Sequence, residues 1–213
     1  MTTSMINRRI LLASAATLLT SGSLWAGSPA ASQAVVGRPA PAFEVIDSTG
    51  HMRSLSEFKG KTVVLEWTSP SCPFAKAQYV SGRMPEIQKW AMQQGVVWLT
   101  VLSSHPSRSD YLEPAKAEAF NRGRGGSPSA LLIDASGVVG SAYGAKTANH
   151  MFIVNKDGTL VYAGGIDDGE TMDPKKVLVA HNYVRAALED MVAGRQVQVS
   201  ATHPFGCALA YAG

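Results

Sequence analysis

Cysteine is scarce in this sequence: two in 213 residues, Cys72 and Cys207. No Cys-x3-Cys, His-x3-His or dense cluster of ligating side chains is present, so no metal site is expected. Charge is low as well, at 16% of residues, and the net charge is +3. Arg8 and Arg9 fall in an acid-free N-terminal segment; without them 17 basic residues face 16 acidic ones. That balance leaves no electrostatic footprint for nucleic acid or an anionic membrane. The glycines from Gly123 to Gly126 lack the Lys-Ser/Thr step of a phosphate-binding loop, and no cofactor is expected. Ile10 to Leu19 is too short to span a bilayer. There is no internal repeat and no heptad run. With 46% hydrophobic residues, disorder is excluded for the chain as a whole.

What is present centres on residues 63–76. Val63-Val64-Leu65-Glu66-Trp67 is an apolar, β-branched run of the kind that forms a buried strand. It breaks at Thr68-Ser69-Pro70-Ser71, a turn composition. Cys72 follows, and Pro73 stands where the first residue of a helix would be. A cysteine at that junction meets free backbone N–H groups and the positive end of the helix dipole, which favour thiolate over thiol. Lys76 adds a positive charge one turn on. The plainer alternative is a buried cysteine that packs as a small hydrophobe.

Along the chain, residues 1–26 read as an export signal, with Arg8-Arg9 as its basic region and Ala26, or alternatively Ala34, as its last residue. Asn7 to Leu12 is similar to a twin-arginine signal, although Asn7 stands where Ser or Thr is usual. A retained N-terminal anchor is the other possibility. Either way the remainder is expected to face an oxidising compartment, most simply a bacterial periplasm. A domain over 35–194 and a tail over 195–213 carrying Cys207 follow. Short strands are expected at 43–47 and 52–55, a helical turn at 56–59, and the central strand at 62–67. A helix runs from Cys72 to about Val80, and a second starts at Pro85 and stops at Gly95. Val96 to Leu102 is a buried strand of the parallel-sheet type. A polar loop, an Ala-rich helix from Pro114, a strand at 130–134 and a short helical segment at 138–143 come next. Residues 151–155 and 159–163 form a hairpin across Lys156-Asp157-Gly158. Asp173-Pro174 is an N-cap and N1 pair, opening one helix that ends at Gly194. Strands alternating with helices indicate an α/β sheet covered on both faces. A nucleophile at a strand-to-helix turn suits chemistry at the carboxyl ends of strands.

At Cys72 the chain resembles the thioredoxin-like superfamily, and within it the alkyl hydroperoxide reductase / thiol-specific antioxidant branch, the redoxins. The residues that carry the likeness are Val36 to Phe43, Leu55 to Leu65, Ser71-Cys72-Pro73-Phe74 and Phe152 to Gly158. It spans roughly residues 35–193. The resemblance implies a thioredoxin-like fold, a central mixed sheet with helices on both faces, and a thiol site at Cys72. The sequence departs from the related patterns at three places. Ala75 stands at the second cysteine of Cys-x-x-Cys, which excludes local dithiol exchange. Leu65 replaces the proline that peroxiredoxins carry seven residues before the cysteine, whereas Ser69 matches their hydroxyl three before it. Asn149 stands where thioredoxins have a cis-proline and peroxiredoxins usually an arginine; Arg122 or Arg124 is a substitute source of positive charge.

Three functions stay open. In the first, Cys72 reduces a peroxide and Cys207 resolves the sulfenic acid, with an external thiol reductant closing the cycle. In the second, Cys72 exchanges with protein disulfides. In the third, a Cys72–Cys207 bond is a permanent staple in a binding protein. A mobile tail is one way to deliver Cys207; a structural role for it is the alternative. His150 is expected near the cysteine turn, either stabilising the thiolate or bonded to backbone. Thr68 and Ser69 either cap the Pro73 helix or donate to sulfur or peroxide, the cap being favoured. Glu66 is either a buried acid near Cys72 or a solvent-facing one. Partners are thus a peroxide or protein disulfide and a thiol reductant, with no membrane contact once the signal is cleaved. Nothing in the sequence fixes an oligomeric state.

Overall fold

Five apolar runs build the central sheet. The computed structural model describes residues 1–2, 33–209 and 211, so the export signal expected at 1–26 lies outside the described residues save for its first two positions. The elements are β1 (Glu44–Ile46), β2 (Met52–Ser54), a 3-10 turn (Leu55–Phe58), β3 (Val63–Trp67), α1 (Pro73–Val80), α2 (Arg83–Gln93) and β4 (Val97–Leu102). They continue with α3 (Pro114–Gly123), β5 (Ala130–Ile133), α4 (Val138–Tyr143), β6 (His150–Val154), β7 (Leu160–Gly165), α5 (Pro174–Val179) and α6 (Tyr183–Val192). The sheet order is β5-β4-β3-β6-β7, with β1 and β2 as a separate ribbon. β4 runs parallel to both β3 and β5, whereas β6 is antiparallel to β3 and to β7.

β3 lies at the centre, and all five of its residues are buried. A strand enclosed on both sides cannot alternate with solvent-facing polar residues, which is why all of it but Glu66 is apolar. Its two faces feed two cores. Val64 packs with Tyr79, Met84, Ile87, Trp98 and Leu188 under α1, α2 and α6. Val63, Leu65 and Trp67 pack with Phe43, Val139 and Tyr143 on the opposite side. Ala117 of α3 covers Leu102, Leu131 and Ile133. The sheet is therefore mixed and covered by helices on both faces, as the sequence pattern indicates.

Two helix assignments change. α2 begins at Arg83 rather than Pro85: Gly82, at φ 82°, turns the chain into it, and Pro85 sits within the first turn, where its missing N–H costs nothing. The helix expected from Pro174 to Gly194 is two helices. Asp173 caps α5 through Lys175 N–H at 2.9 Å, as expected. The chain then leaves the helix at Ala180, and Asn182 caps α6 through Arg185 N–H at 2.7 Å. His181 N–H donates to the Asp168 carboxylate at 2.8 Å, and Asp167 pairs with Asn182, so the break is held by the loop after β7.

Candidate active site

The turn that carries Cys72 hangs between two neighbouring strands. Thr68 N–H donates to Val101 O at 3.1 Å, and Asn149 N–H donates to Trp67 O at 2.8 Å. Cys72 is the N-cap of α1 with Pro73 behind it, and Lys76 N–H donates to Cys72 O at 2.9 Å as the first helical bond. The backbone thus places the sulfur at the positive end of an eight-residue helix. Cys72 is only 1% exposed and packs with Ala75, Ala148, Phe74 and Cys207.

Cys72 and Cys207 form a disulfide, with Cα atoms 5.6 Å apart across 135 residues of sequence. Cys207 N–H also points at Cys72 Sγ at 3.2 Å. The tail that carries Cys207 is seated along its length rather than loose. Ala208 pairs with Thr147 in an antiparallel bridge, Ala148 N–H donates to Cys207 O at 2.9 Å, and Leu209 N–H donates to Lys146 O at 2.9 Å. Gly206 has φ 132°, and Ala148 O fills the space where a Cβ would stand, so glycine is required there. Upstream, Phe205 packs edge-on against Phe74, and Thr202 Oγ1 accepts from Gly165 N–H at 3.0 Å. Downstream, Tyr211 rests on Gly137 and Gly140 and donates its hydroxyl to Ala145 O.

His150 lies at the start of β6, 7% exposed, with its ring 4.3 Å from that of Phe152. Its Nδ1 accepts from Lys146 N–H at 3.2 Å. Burial, with the Lys146 charge, lowers its pKa to about 4. The imidazole is therefore neutral at pH 7, and its one described hydrogen bond is to backbone. Ser69 is buried; its hydroxyl meets Ser71 Oγ at 3.2 Å and donates to Asp110 at 3.4 Å. Thr68 accepts from Arg124 Nη1 at 2.9 Å. Among the described residues no side chain caps the α1 N-terminus, whose cap position is the cysteine itself, so Thr68 and Ser69 do not take the capping role expected of them. Glu66 is wholly buried on the α1/α2 side of the sheet. Tyr79 Oη, Trp98 Nε1, Gln88 Nε2 and Thr100 Oγ1 donate to it at 2.6, 2.8, 2.9 and 3.0 Å. Burial, and then the Glu66 charge, push the Tyr79 hydroxyl well above its ordinary pKa.

The site therefore joins Cys72 and Cys207 directly and sets Thr68 and Ser69 in the adjoining turn. The sequence offered no sign of the strand pairing at Lys146 to Ala148, which uses backbone alone. Asp110 and Tyr79 were also missed. Asp110 lies in a polar loop, and Tyr79 looks like any apolar-face helix residue until Glu66 is seen to point inward.

The profile of the AhpC/TSA family matches residues 36–163, which include Cys72, Ser69 and His150. The chain belongs to the AhpC/TSA family. This AhpC/TSA protein is a thiol-dependent oxidoreductase with a thioredoxin-like fold. Cys207 and its tail lie beyond the matched region. Among solved structures, an uncharacterized conserved protein from Geobacillus kaustophilus is similar at TM-score 0.70 and 23% identity, covering 84% of this chain and 93% of that one. A hypothetical protein from Sinorhizobium meliloti 1021 is similar at TM-score 0.64 and 25% identity, covering 84% and 96%. Peroxidoxin BcpB from Mycobacterium tuberculosis is similar at TM-score 0.51 and 20% identity, covering 76% and 96%. No curated protein matches the chain. Among the described residues, no helix is long and apolar enough to cross a membrane.

Proposed function

We propose that this AhpC/TSA protein is an exported two-cysteine peroxidase, with Cys72 as the attacking thiol and Cys207 as the resolving one. The observation that carries the reading is the Cys72–Cys207 bond within one chain, made at a helix N-terminus by a tail seated to present Cys207. The Cys72 thiolate attacks the terminal oxygen of a hydroperoxide. The O–O bond breaks, and its electron pair leaves with the alkoxide, which takes up a proton. Cys72, oxidised by two electrons, holds the oxygen as a sulfenic acid. The Cys207 thiol then displaces that oxygen as water and closes the disulfide. An external dithiol returns two electrons and two protons. Cys72 is nearly inaccessible in the bonded form, so the cycle requires the tail to shift on reduction. Ser69 serves as a hydroxyl of the cysteine turn, and His150 as a neutral support of the loop that seats the tail. Export to the periplasm is supported by the N-terminal composition and by a disulfide, which persists in oxidising compartments.

A second reading, exchange with protein disulfides, is favoured by one feature. The segment that delivers Cys207 pairs its backbone with Lys146 to Ala148 through an antiparallel bridge at Ala208, the way a cysteine-bearing peptide would dock.

Intact mass with thiol alkylation separates these. The reduced protein, given one equivalent of hydrogen peroxide, is expected to lose both thiols to an internal disulfide within seconds to minutes. Cys207→Ser is expected to leave a Cys72 sulfenic acid that dimedone traps. Thiols that ignore peroxide but form mixed disulfides with an unfolded protein substrate would replace the first reading with the second.

A further inference from the structure

Beside the Cys72 turn lies a cavity of about 670 Å³, within the range of small-molecule sites. Pro70, Tyr79, Val80 and Phe120 give it apolar walls, and Lys76 and Arg124 are its charged residues. No acid lines it.

Arg124 is held in an unusual way. Its guanidinium stacks 3.6 Å from the Tyr79 ring centre and 4.6 Å from that of Phe120. Nη1 donates to Thr68 Oγ1 at 2.9 Å, while Nε and Nη2 donate to Asn121 Oδ1 at 3.2 and 3.1 Å. Every one of those acceptors is neutral. Among the described residues, the other half-buried arginines, Arg53, Arg83 and Arg185, all have a carboxylate partner and Arg124 has none. Glu66 lies behind Tyr79 and is occupied by the four donors described above. Asn121 is itself buried, and its amide packs closely against Gly126, in the space a Cβ there would take. The fork is thus fixed before any ligand arrives, and a carboxylate that meets it loses little rotamer entropy.

We propose that this cavity binds an amphipathic organic carboxylate, with the carboxylate on Arg124 and Lys76 and the apolar body against Phe120, Val80 and Pro70.

The test is calorimetric titration of the disulfide-bonded protein with octanoate and with its uncharged counterpart, octanamide. Octanoate is expected to bind at least about tenfold tighter than octanamide, the worth of one charge-assisted contact. Arg124→Gln is expected to erase that preference, and Lys76→Gln, at an exposed position, to weaken octanoate a few-fold. Gly123→Leu adds bulk where a Cβ meets nothing within 4 Å, and is expected to weaken both ligands without touching either cation. Equal affinities for the two ligands, a preference that survives Arg124→Gln, or binding indifferent to Gly123→Leu would each overturn the subsite. Reduced protein that leaves hydrogen peroxide and organic hydroperoxides alike untouched would overturn the peroxidase reading instead, while the octanoate titration still decides the subsite.

Discussion

His150 is kept neutral by its surroundings, and that has a consequence for stability. Its pKa falls from 6.5 to about 4 through burial and the Lys146 charge. Above pH 6.5 the imidazole is neutral both folded and unfolded, and it adds no pH dependence. As pH falls below 6.5 the unfolded chain binds a proton that the folded chain refuses, so stability declines until the folded pKa is passed near 4. The full loss is about 3 kcal/mol. His150→Phe keeps an aromatic ring against Phe152 and removes the titration. Urea midpoints measured from pH 7 to pH 4 are expected to fall more steeply for the parent than for the variant. Parallel slopes would mean that the imidazole is protonated in the fold. At this scale the sequence exposed the reactive position but not its neighbours' orientation. Cys72 is marked by its place between a β-branched run and Pro73, which is local information. Whether Glu66 faced a core or solvent depended on which helix covers that face of β3, and Tyr79, Gln88 and Trp98 arrive from three separate elements.

Elements with strong local signals folded where the pattern put them. The hairpin from β6 to β7 is one: Asn155 Oδ1 accepts from Asp157 and Thr159 N–H groups, and Gly158 takes φ 83°. The break between α5 and α6 was invisible because Ala180-His181-Asn182 contains neither Pro nor Gly, and the partners that hold it open come from the loop after β7. The tail was equally illegible, since its seat is the backbone of Lys146 to Ala148, which offers no residue-type signal. Gly206 is the residue on which that seat turns. Gly206→Ala adds a methyl group facing Ala148 O at a φ that L-residues avoid. The variant is expected to lose about 1–3 kcal/mol in the oxidised form. It is also expected to re-form the disulfide more slowly after reduction, and alkylation-quench kinetics would show it. An unchanged rate would mean that the disulfide forms without the tail's strand pairing.

Across the whole molecule, the disulfide ties the tail to a fold whose cores take only Phe205 from it as a buried member, with Val197 and Leu209 packed at their edges. The two main clusters draw on all five strands of the central sheet, with α1, α2, α4 and α6 closing them. Phe205 is the only buried hydrophobic side chain beyond Leu188 among the described residues. The body is therefore expected to stay folded when the bond is cut. Closing a loop of 135 residues limits the unfolded chain, and the chain-entropy model assigns about 5 kcal/mol to that constraint. Part of this is a property of the unfolded state, so reduction lowers global stability even if nothing in the body moves. The tail meets a different fate, because its remaining anchors are Phe205, Thr202, Tyr211 and backbone bonds to Lys146, Ala148 and Ala163. Limited proteolysis of oxidised and reduced protein separates the two effects. The reduced form is expected to be nicked between 195 and 206 at rates many times those of the oxidised form, with the 35–193 body resisting in both. Cys207→Ser should match the reduced parent in cleavage pattern and in urea midpoint. A tail equally protected in both redox states would make the seat independent of the bond. Cys72 would then stay covered after reduction, and a small peroxide would have to reach it beneath a fixed tail.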